Sequence, residues 1–311
     1  MVDASTHTGL SRRRLLAGGL AGAGAVALAG CITDPDPPDA VPGDEVWVAR
    51  VGRVPFDDPS SDAWKRTTPT AVVMDAQTIA LPHRPTPVVP EIAVRAVHDG
   101  ASIAFRLDWD DPDHDDLTVQ VDGFRDACAV LLGPGAGDQA IRVMGSAETP
   151  VVLLHWKADW QRDMEQGVQG EAEVYPNRSV DVYPPLLLEV PRDVTADDYR
   201  AADATEWLPG LHVGNVLSAD TRATCVEKLL AAGFGTSTTA ATQDARGRGE
   251  RGEHGWHVVL SKPLAGTEGN EPALEPGRSY TCAFALWSGS ARDAGGRKTP
   301  SLNAFRLSLE A

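Results

Sequence analysis

An all-β chain, built as an antiparallel β-sandwich with long loop insertions and one or two short helices, is predicted from three features of the sequence. Apolar and polar residues alternate with a period of two in short runs, the runs are spaced by turn-rich loops, and two of them flank Asp99-Gly100, a dipeptide suited to the positive φ of a tight hairpin turn.

Residues 1–31 read as an export signal. Arg12 and Arg13 open it, a Gly- and Ala-rich apolar stretch too short to span a membrane follows, and Leu28-Ala29-Gly30-Cys31 closes it as a lipobox. The twin-arginine route carries folded proteins, often with cofactor inserted, and cleavage before Cys31 leaves a lipidated cysteine. The Pro- and Asp-rich residues 32–44 bury no apolar surface and read as a flexible tether to the outer face of the cytoplasmic membrane. The folded domain is expected over residues 45–311.

Within it, "EVWVARV" is the first alternating run. "IAVRAVHDGASIAFRLDW" is the hairpin, with Ile103, Phe105, Leu107 and Trp109 on one face. "ACAVLL" and "TPVVLLHW" are denser apolar strands. "GWHVVLSKPL" places Trp256, Val258 and Leu260 together, and "YTCAFALW" and "NAFRLSLE" complete the set. One helix is expected in "SADTRATCVEKLLAAGFG", with Asp220 as N-cap, Val226, Leu229 and Leu230 as the apolar stripe and Gly233 as the stop. The rest of Gln161 to Gly255 reads as loop, least ordered in "TSTTAATQDARGRGERGEHG", and segments this long commonly serve function or lie on a partner.

The formal charge is −16, from 28 basic and 44 acidic residues. Such a surface suits high salt and repels nucleic acid. Only Lys65, Lys157, Lys228, Lys262 and Lys298 are lysines, so each is informative. Cys128, Cys225 and Cys282 lie too far apart for an iron–sulfur or zinc motif; Cys128 and Cys282 either pair or stay as buried thiols. "DWDDPDHDD" (Asp108 to Asp116) lacks the glycine and glutamate spacing of a calcium loop and reads as a solvated acidic turn. His155 and His257 sit inside strands as structural histidines. No nucleophile elbow, phosphate loop or His-Glu-x-x-His motif occurs, so the chain shows no catalytic machinery of its own.

"IAFRLDWDD", "VMG" followed by "PVVLLHWKADW", "EKLLAAGFGT", "GWHVVLSKPL", "YTCAFALWSGS" and "GGRKTPSLNAFRLSL" occur in this order. Together they resemble the haem b-binding γ subunits of dimethyl sulfoxide reductase-family molybdoenzymes, the group of ethylbenzene dehydrogenase, chlorate reductase, selenate reductase and dimethylsulfide dehydrogenase. The resemblance implies one b-type haem, held non-covalently because no Cys-x-x-Cys-His is present, with a methionine and a lysine as axial ligands. The matching methionine is Met144, with Gly145 allowing close approach of the backbone. The matching lysine is Lys298, in "GGRKTPS". Lys262 is the alternative, although it falls where the family pattern carries arginine, which does not lose its proton to bind iron. On the same resemblance Arg297 is suited to pair with a haem propionate, and Lys157 either to meet a propionate or to shape the pocket. The implied role is an electron-transfer subunit, itself not an enzyme, relaying electrons between the iron–sulfur subunit of a molybdopterin oxidoreductase and an external carrier. The competing reading is a lipid-anchored β-sandwich without haem that binds carbohydrate or another ligand, using exposed tryptophans such as Trp156, Trp160 and Trp207.

Overall fold

The alternating runs form strands along most of the chain. The computed structural model describes residues 41–135, 139–178, 182–183, 186 and 194–311; the twin arginines, Cys31 and the tether up to residue 40 lie outside these. The first half contains β1 (Val41–Pro42), β2 (Glu45–Arg50), β3 (Thr70–Val73), β4 (Glu91–His98), β5 (Ser102–Asp110) and β6 (Ala127–Gly133). Next come β7 (Val151–Lys157), β8 (Val226–Ala231), β9 (Thr238–Thr239) and β10 (Arg246–Arg251). The last are β11 (Gly255–Pro263), β12 (Ser279–Trp287), β13 (Thr299–Pro300) and β14 (Phe305–Leu309).

Hydrogen bonds join the main strands in the order β10, β11, β5, β4, β2, β14, β12, β6, β7, β8, β9. Pairing is mainly antiparallel, with β2 running parallel to both β4 and β14 at the centre of the path. β4 and β5 form the expected hairpin, and Gly100 takes φ 86° in its turn. Ile103, Phe105, Leu107 and Trp109 all point into the main core, joined there by Val258 and Leu260 of β11. The same core receives Cys128, Val130 and Leu132 of β6, Leu154 and Trp156 of β7, and Phe284 of β12. The hydrogen-bonded path therefore folds back on itself as a sandwich. Trp156 bridges the layers, edge-on to Trp109 with ring centroids 6.4 Å apart and to Trp256 at 4.9 Å.

The expected helix at 218–235 is instead β8. Its side chains alternate: Val226 enters the main core and Lys228 is fully buried beside it, while Glu227 is buried on the opposite face against Lys157. A helical turn would separate Val226 from Lys228, whereas a strand puts both inside. The misleading signal was the spacing of Val226, Leu229 and Leu230, which reads as a helical stripe, whereas Glu227 and Lys228 find buried partners on opposite faces of a strand.

The segment expected to be least ordered contains β10. Gly247 and Gly249 explain it: a Cβ at Gly247 would meet the Val259 carbonyl at 2.1 Å, and one at Gly249 would meet Trp156 Cζ2 at 2.4 Å. Two missing side chains let an edge strand lie against the core. The insertion also holds α1 (Ala158–Gln166), α2 (Glu171–Val174), α3 (Ala196–Ala201) and α4 (Pro209–His212). Among the described residues no helix is long and apolar enough to cross a membrane. Cys128, Cys225 and Cys282 are buried free thiols, so Cys128 and Cys282 do not pair.

Every residue of β6 is buried, on both faces. Its inward side chains belong to the main core, and its outward ones form the floor of the site.

Candidate functional site

On the outward face, β6 lies between β12 and β7, and their registers align small side chains in rows. Ala283, Leu131 and Leu153 form one row, Ala285, Ala129 and His155 the next, and Trp287, Ala127 and Lys157 the third. The alanines leave room above the sheet that larger side chains would fill. Two loops border that room.

The first follows β6. A short 3-10 turn over Gln139–Val143 ends at Met144, whose φ of 74° is left-handed and costly for a residue with a side chain. Hydrogen bonds hold the strained turn from both sides. Met144 N donates to the Ile141 carbonyl at 2.9 Å, and the Met144 carbonyl accepts from Gly233 N at 2.9 Å. Gly145 also has a positive φ of 73°, and a Cβ there would stand 2.4 Å from the Thr149 carbonyl. The glycine is thus already required by the turn itself.

The second loop joins β12 to β13. Ala294 and Arg297 bridge, Gly295 takes φ 55°, and Trp287 Nε1 donates to the Gly295 carbonyl at 3.0 Å. β13 then pairs Pro300 with Ala285, which carries Lys298 over the alanine floor. Arg84 anchors the loop, donating to both oxygens of the buried Asp293 at 2.8 and 2.9 Å and to Thr299 Oγ1 at 2.7 Å.

Between the loops is a pocket, partly open to solvent, whose lining includes Met144, Lys298, Arg142, Ala129, Ala283 and Ala285. Two residues far apart in sequence, singled out as the axial pair, line one space.

The other lysines go elsewhere. Lys65 pairs with Asp62 on the surface at 2.5 Å, and Lys157 is buried against Glu227. Lys228 and Lys262 are fully buried inside the sandwich, where they share Glu271 at 3.0 and 3.1 Å, and Lys228 also meets Asp244 at 2.7 Å. Lys262, the alternative ligand, does not line the cavity. Lys298 has no carboxylate partner among the described residues. Its amine lies 5.5 Å from the Trp287 ring centroid, and burial holds its pKa below the ordinary lysine value. A lysine that cannot easily keep its proton is one whose lone pair is accessible to a metal.

Arg297, expected near the same group, leans on Asp293 at 3.9 Å and donates to the Arg292 carbonyl at 3.3 Å. Lys157 faces the floor's third row, paired with Glu227 and with its amine 3.9 Å from the Trp160 ring centroid. The sequence reading named neither Arg142 nor Trp287, and it took His155 as a structural histidine. Arg142 stands two residues before Met144, the one signal that could have drawn notice. His155 stacks on Trp287 at 4.4 Å with a buried Nε2 that makes no hydrogen bond among the described residues, and burial, followed by the charges of Lys157, Arg125 and Lys298, holds its pKa well below the ordinary histidine value.

The remaining sites read from sequence resolve simply. Asp108 is a structural hub, bonded to Arg95 at 2.9 Å, Arg106 at 2.8 Å and His257 at 2.6 Å. Among the described residues no cluster of His, Cys, Asp or Glu could hold a metal ion. Of the three tryptophans considered as a sugar platform, Trp156 and Trp160 are buried and Trp207 is exposed, so they form no common surface.

A family model described as ethylbenzene dehydrogenase matches residues 61–299, which includes both loops and the floor of the cavity. The chain is 24% identical over 253 residues to chlorate reductase subunit gamma of Ideonella dechloratans, covering 80% of this chain and 78% of that one. It is 21% identical over 243 residues to a protein of Haloferax mediterranei named "Putative respiratory nitrate reductase heme subunit ORF7", covering 78% of this chain and 65% of the relative. Among solved structures, a family 9 carbohydrate-binding module from Caldicellulosiruptor kristjanssonii in complex with glucose aligns with a TM-score of 0.37 and 9% identity, covering 86% of this chain and 96% of the module.

Proposed function

The chain belongs to the ethylbenzene dehydrogenase family, and on that premise we propose that it is the haem-carrying electron-transfer subunit of a reductase complex, with Met144 and Lys298 as the axial ligands of one non-covalent b-type haem. The observation that carries this reading is the shared cavity. A thioether and the one lysine without a carboxylate partner among the described residues line the same apolar space over an alanine floor.

The donor set fits the group. A thioether and a neutral amine are both uncharged, soft-to-intermediate donors suited to a haem iron. Bound haem supplies reversible one-electron chemistry. The protein's own contribution is positional. The Met144 turn is braced by Ile141 and Gly233, and the Lys298 loop is pinned through Arg84, Asp293 and Thr299, so each donor is held before any ligand arrives. Burial lowers the cost of deprotonating Lys298. The side chains of Ala129, Leu131, Leu153, Ala283 and Ala285 would give bound haem a largely apolar seat.

On this reading the catalytic chemistry belongs to a molybdopterin subunit, an iron–sulfur subunit exchanges electrons with the haem, and an external redox carrier completes the relay. The chain works outside the cytoplasm, exported through the twin-arginine signal and held at the membrane by lipid on Cys31. The insertion from Gln161 to Gly255 packs in part on the partner subunits.

Visible spectroscopy of the purified chain supplied with haemin tests the assignment. A six-coordinate low-spin spectrum is expected, lost in Met144→Ala and in Lys298→Ala and kept in Lys262→Ala. Absence of a Soret band would remove the haem reading. Loss of the signature in Lys262→Ala with retention in Lys298→Ala would reverse the choice of lysine.

A further inference from the structure

We infer that Arg142 binds an acid group of the cofactor, so that this site recognises a carboxylate as well as a metal; the inference rests on the haem reading above. Arg142 lines the cavity. It stands two residues before Met144 at the end of the same 3-10 turn, so one backbone element presents both the thioether and the guanidinium. Its Nε is buried and makes no hydrogen bond among the described residues. Its only carboxylate contact among the described residues is a long one, Nη2 to Asp75 Oδ2 at 3.6 Å, with the two side chains 31% and 41% exposed. A pair so long and so wet contributes little, and it leaves most of the guanidinium's donors available. A planar fork of donors facing an apolar space is matched to a carboxylate.

The neighbouring cations are placed elsewhere. Arg84 and Arg297 each also have a buried Nε without a hydrogen bond among the described residues, but Arg84 is bound to Asp293 and Thr299, Arg297 leans on Asp293, Lys157 is paired with Glu227, and none of the three lines the cavity. In a chain of net charge −16, a dicarboxylate ligand is repelled by most of the surface. An under-used arginine in the cavity wall supplies the local exception. Recognition of the acid then fixes which edge of a planar ligand faces the Met144 turn, something two axial donors cannot do, because they leave rotation about their common axis free.

Comparison of haemin with haemin dimethyl ester tests this, because esterification removes the acid charge and leaves the iron and ring unchanged. Each is titrated into the purified chain and followed at the Soret band. The wild-type chain should bind haemin on the order of tenfold or more tighter than the diester. Arg142→Gln should erase most of that preference while still giving a low-spin spectrum with either compound, and Arg297→Gln should preserve it. Asp75→Asn removes the competing carboxylate and should tighten binding of haemin but not of the diester, which keeps the inference testable if Arg142→Gln folds poorly. Equal preference in wild type and Arg142→Gln, or loss of preference in Arg297→Gln alone, overturns the assignment and leaves the haem reading standing. A chain that binds neither compound overturns both.

Discussion

Replacing Glu271 with glutamine removes one charge from the most deeply buried ionic group of the molecule. Glu271, Lys228 and Lys262 have fully buried side chains; Glu271 lies 3.0 Å from Lys228 and 3.1 Å from Lys262, and Asp244 completes the group 2.7 Å from Lys228. With two lysines and two carboxylates, the cluster is neutral overall. Glutamine preserves the shape and leaves one uncompensated positive charge. Lys262 suffers most, since its other contact is the carbonyl of Pro263. Removing one partner of a buried pair costs about 3–5 kcal/mol, because the remaining charge stays out of water. At roughly 2–4 °C per kcal/mol for a domain of this size, the melting temperature should fall by about 6–20 °C, measured by circular dichroism at low scan rate. The double variant Glu271→Gln, Lys262→Met removes both ends of one pair and should regain most of the loss. The haem spectrum should be unchanged in either variant below its melting temperature, since neither residue lines the cavity. A drop below about 1 kcal/mol, the range of solvent-exposed pairs, would show that water reaches the cluster and would refute the argument from burial.

Lys298 gives a pH-dependent counterpart. Burial sets its folded pKa below the ordinary value of 10.5, so the cofactor-free fold disfavours the ammonium; stability should rise as pH climbs from the folded pKa toward 10.5 and be lowest below that window. Lys298→Met should stabilise the cofactor-free chain at pH 7 and flatten this slope in urea titrations, while abolishing the low-spin spectrum; an unchanged slope would argue that Lys298 is solvated. Gly145→Ala places a Cβ 2.4 Å from the Thr149 carbonyl at a φ of 73° and should cost about 1–3 kcal/mol, read from the urea midpoint, with weaker haem binding as the Met144 turn shifts. Cys31→Ser should abolish lipidation by mass spectrometry, and normal export of an Arg12→Lys, Arg13→Lys chain would contradict the twin-arginine assignment. The insertion should be protected from protease in the assembled complex, and equal cleavage in the free subunit and the complex would count against its burial on partners.

Period-two alternation was by itself enough to reveal the sandwich, because a strand with one buried face must alternate: the β4–β5 hairpin with Gly100 at its turn and the inward set of β11 were legible residue by residue. The scarcity of lysine also narrowed the ligand choice, and the family motifs pointed to Met144 and Lys298 before any geometry was available. Tertiary structure decided matters that local pattern cannot encode. β8 looked like a helix because Val226, Leu229 and Leu230 fall at helical spacing between Asp220 and Gly233, and only the separate buried partners of Glu227 and Lys228, Lys157 on one face and Glu271 on the other, make a strand the better solution. β10 looked unstructured because it is rich in glycine and charge, whereas Gly247 and Gly249 are the positions where Val259 and Trp156 leave no space for a side chain. The five lysines are chemically identical in the sequence. Lys65 finds Asp62 within its own short turn, but folding alone gives Lys157, Lys228 and Lys262 buried carboxylates from distant segments and leaves Lys298 over an aromatic ring beside an apolar cavity with no carboxylate among the described residues, since buried ion pairing is a property of neighbours brought together across the sheets.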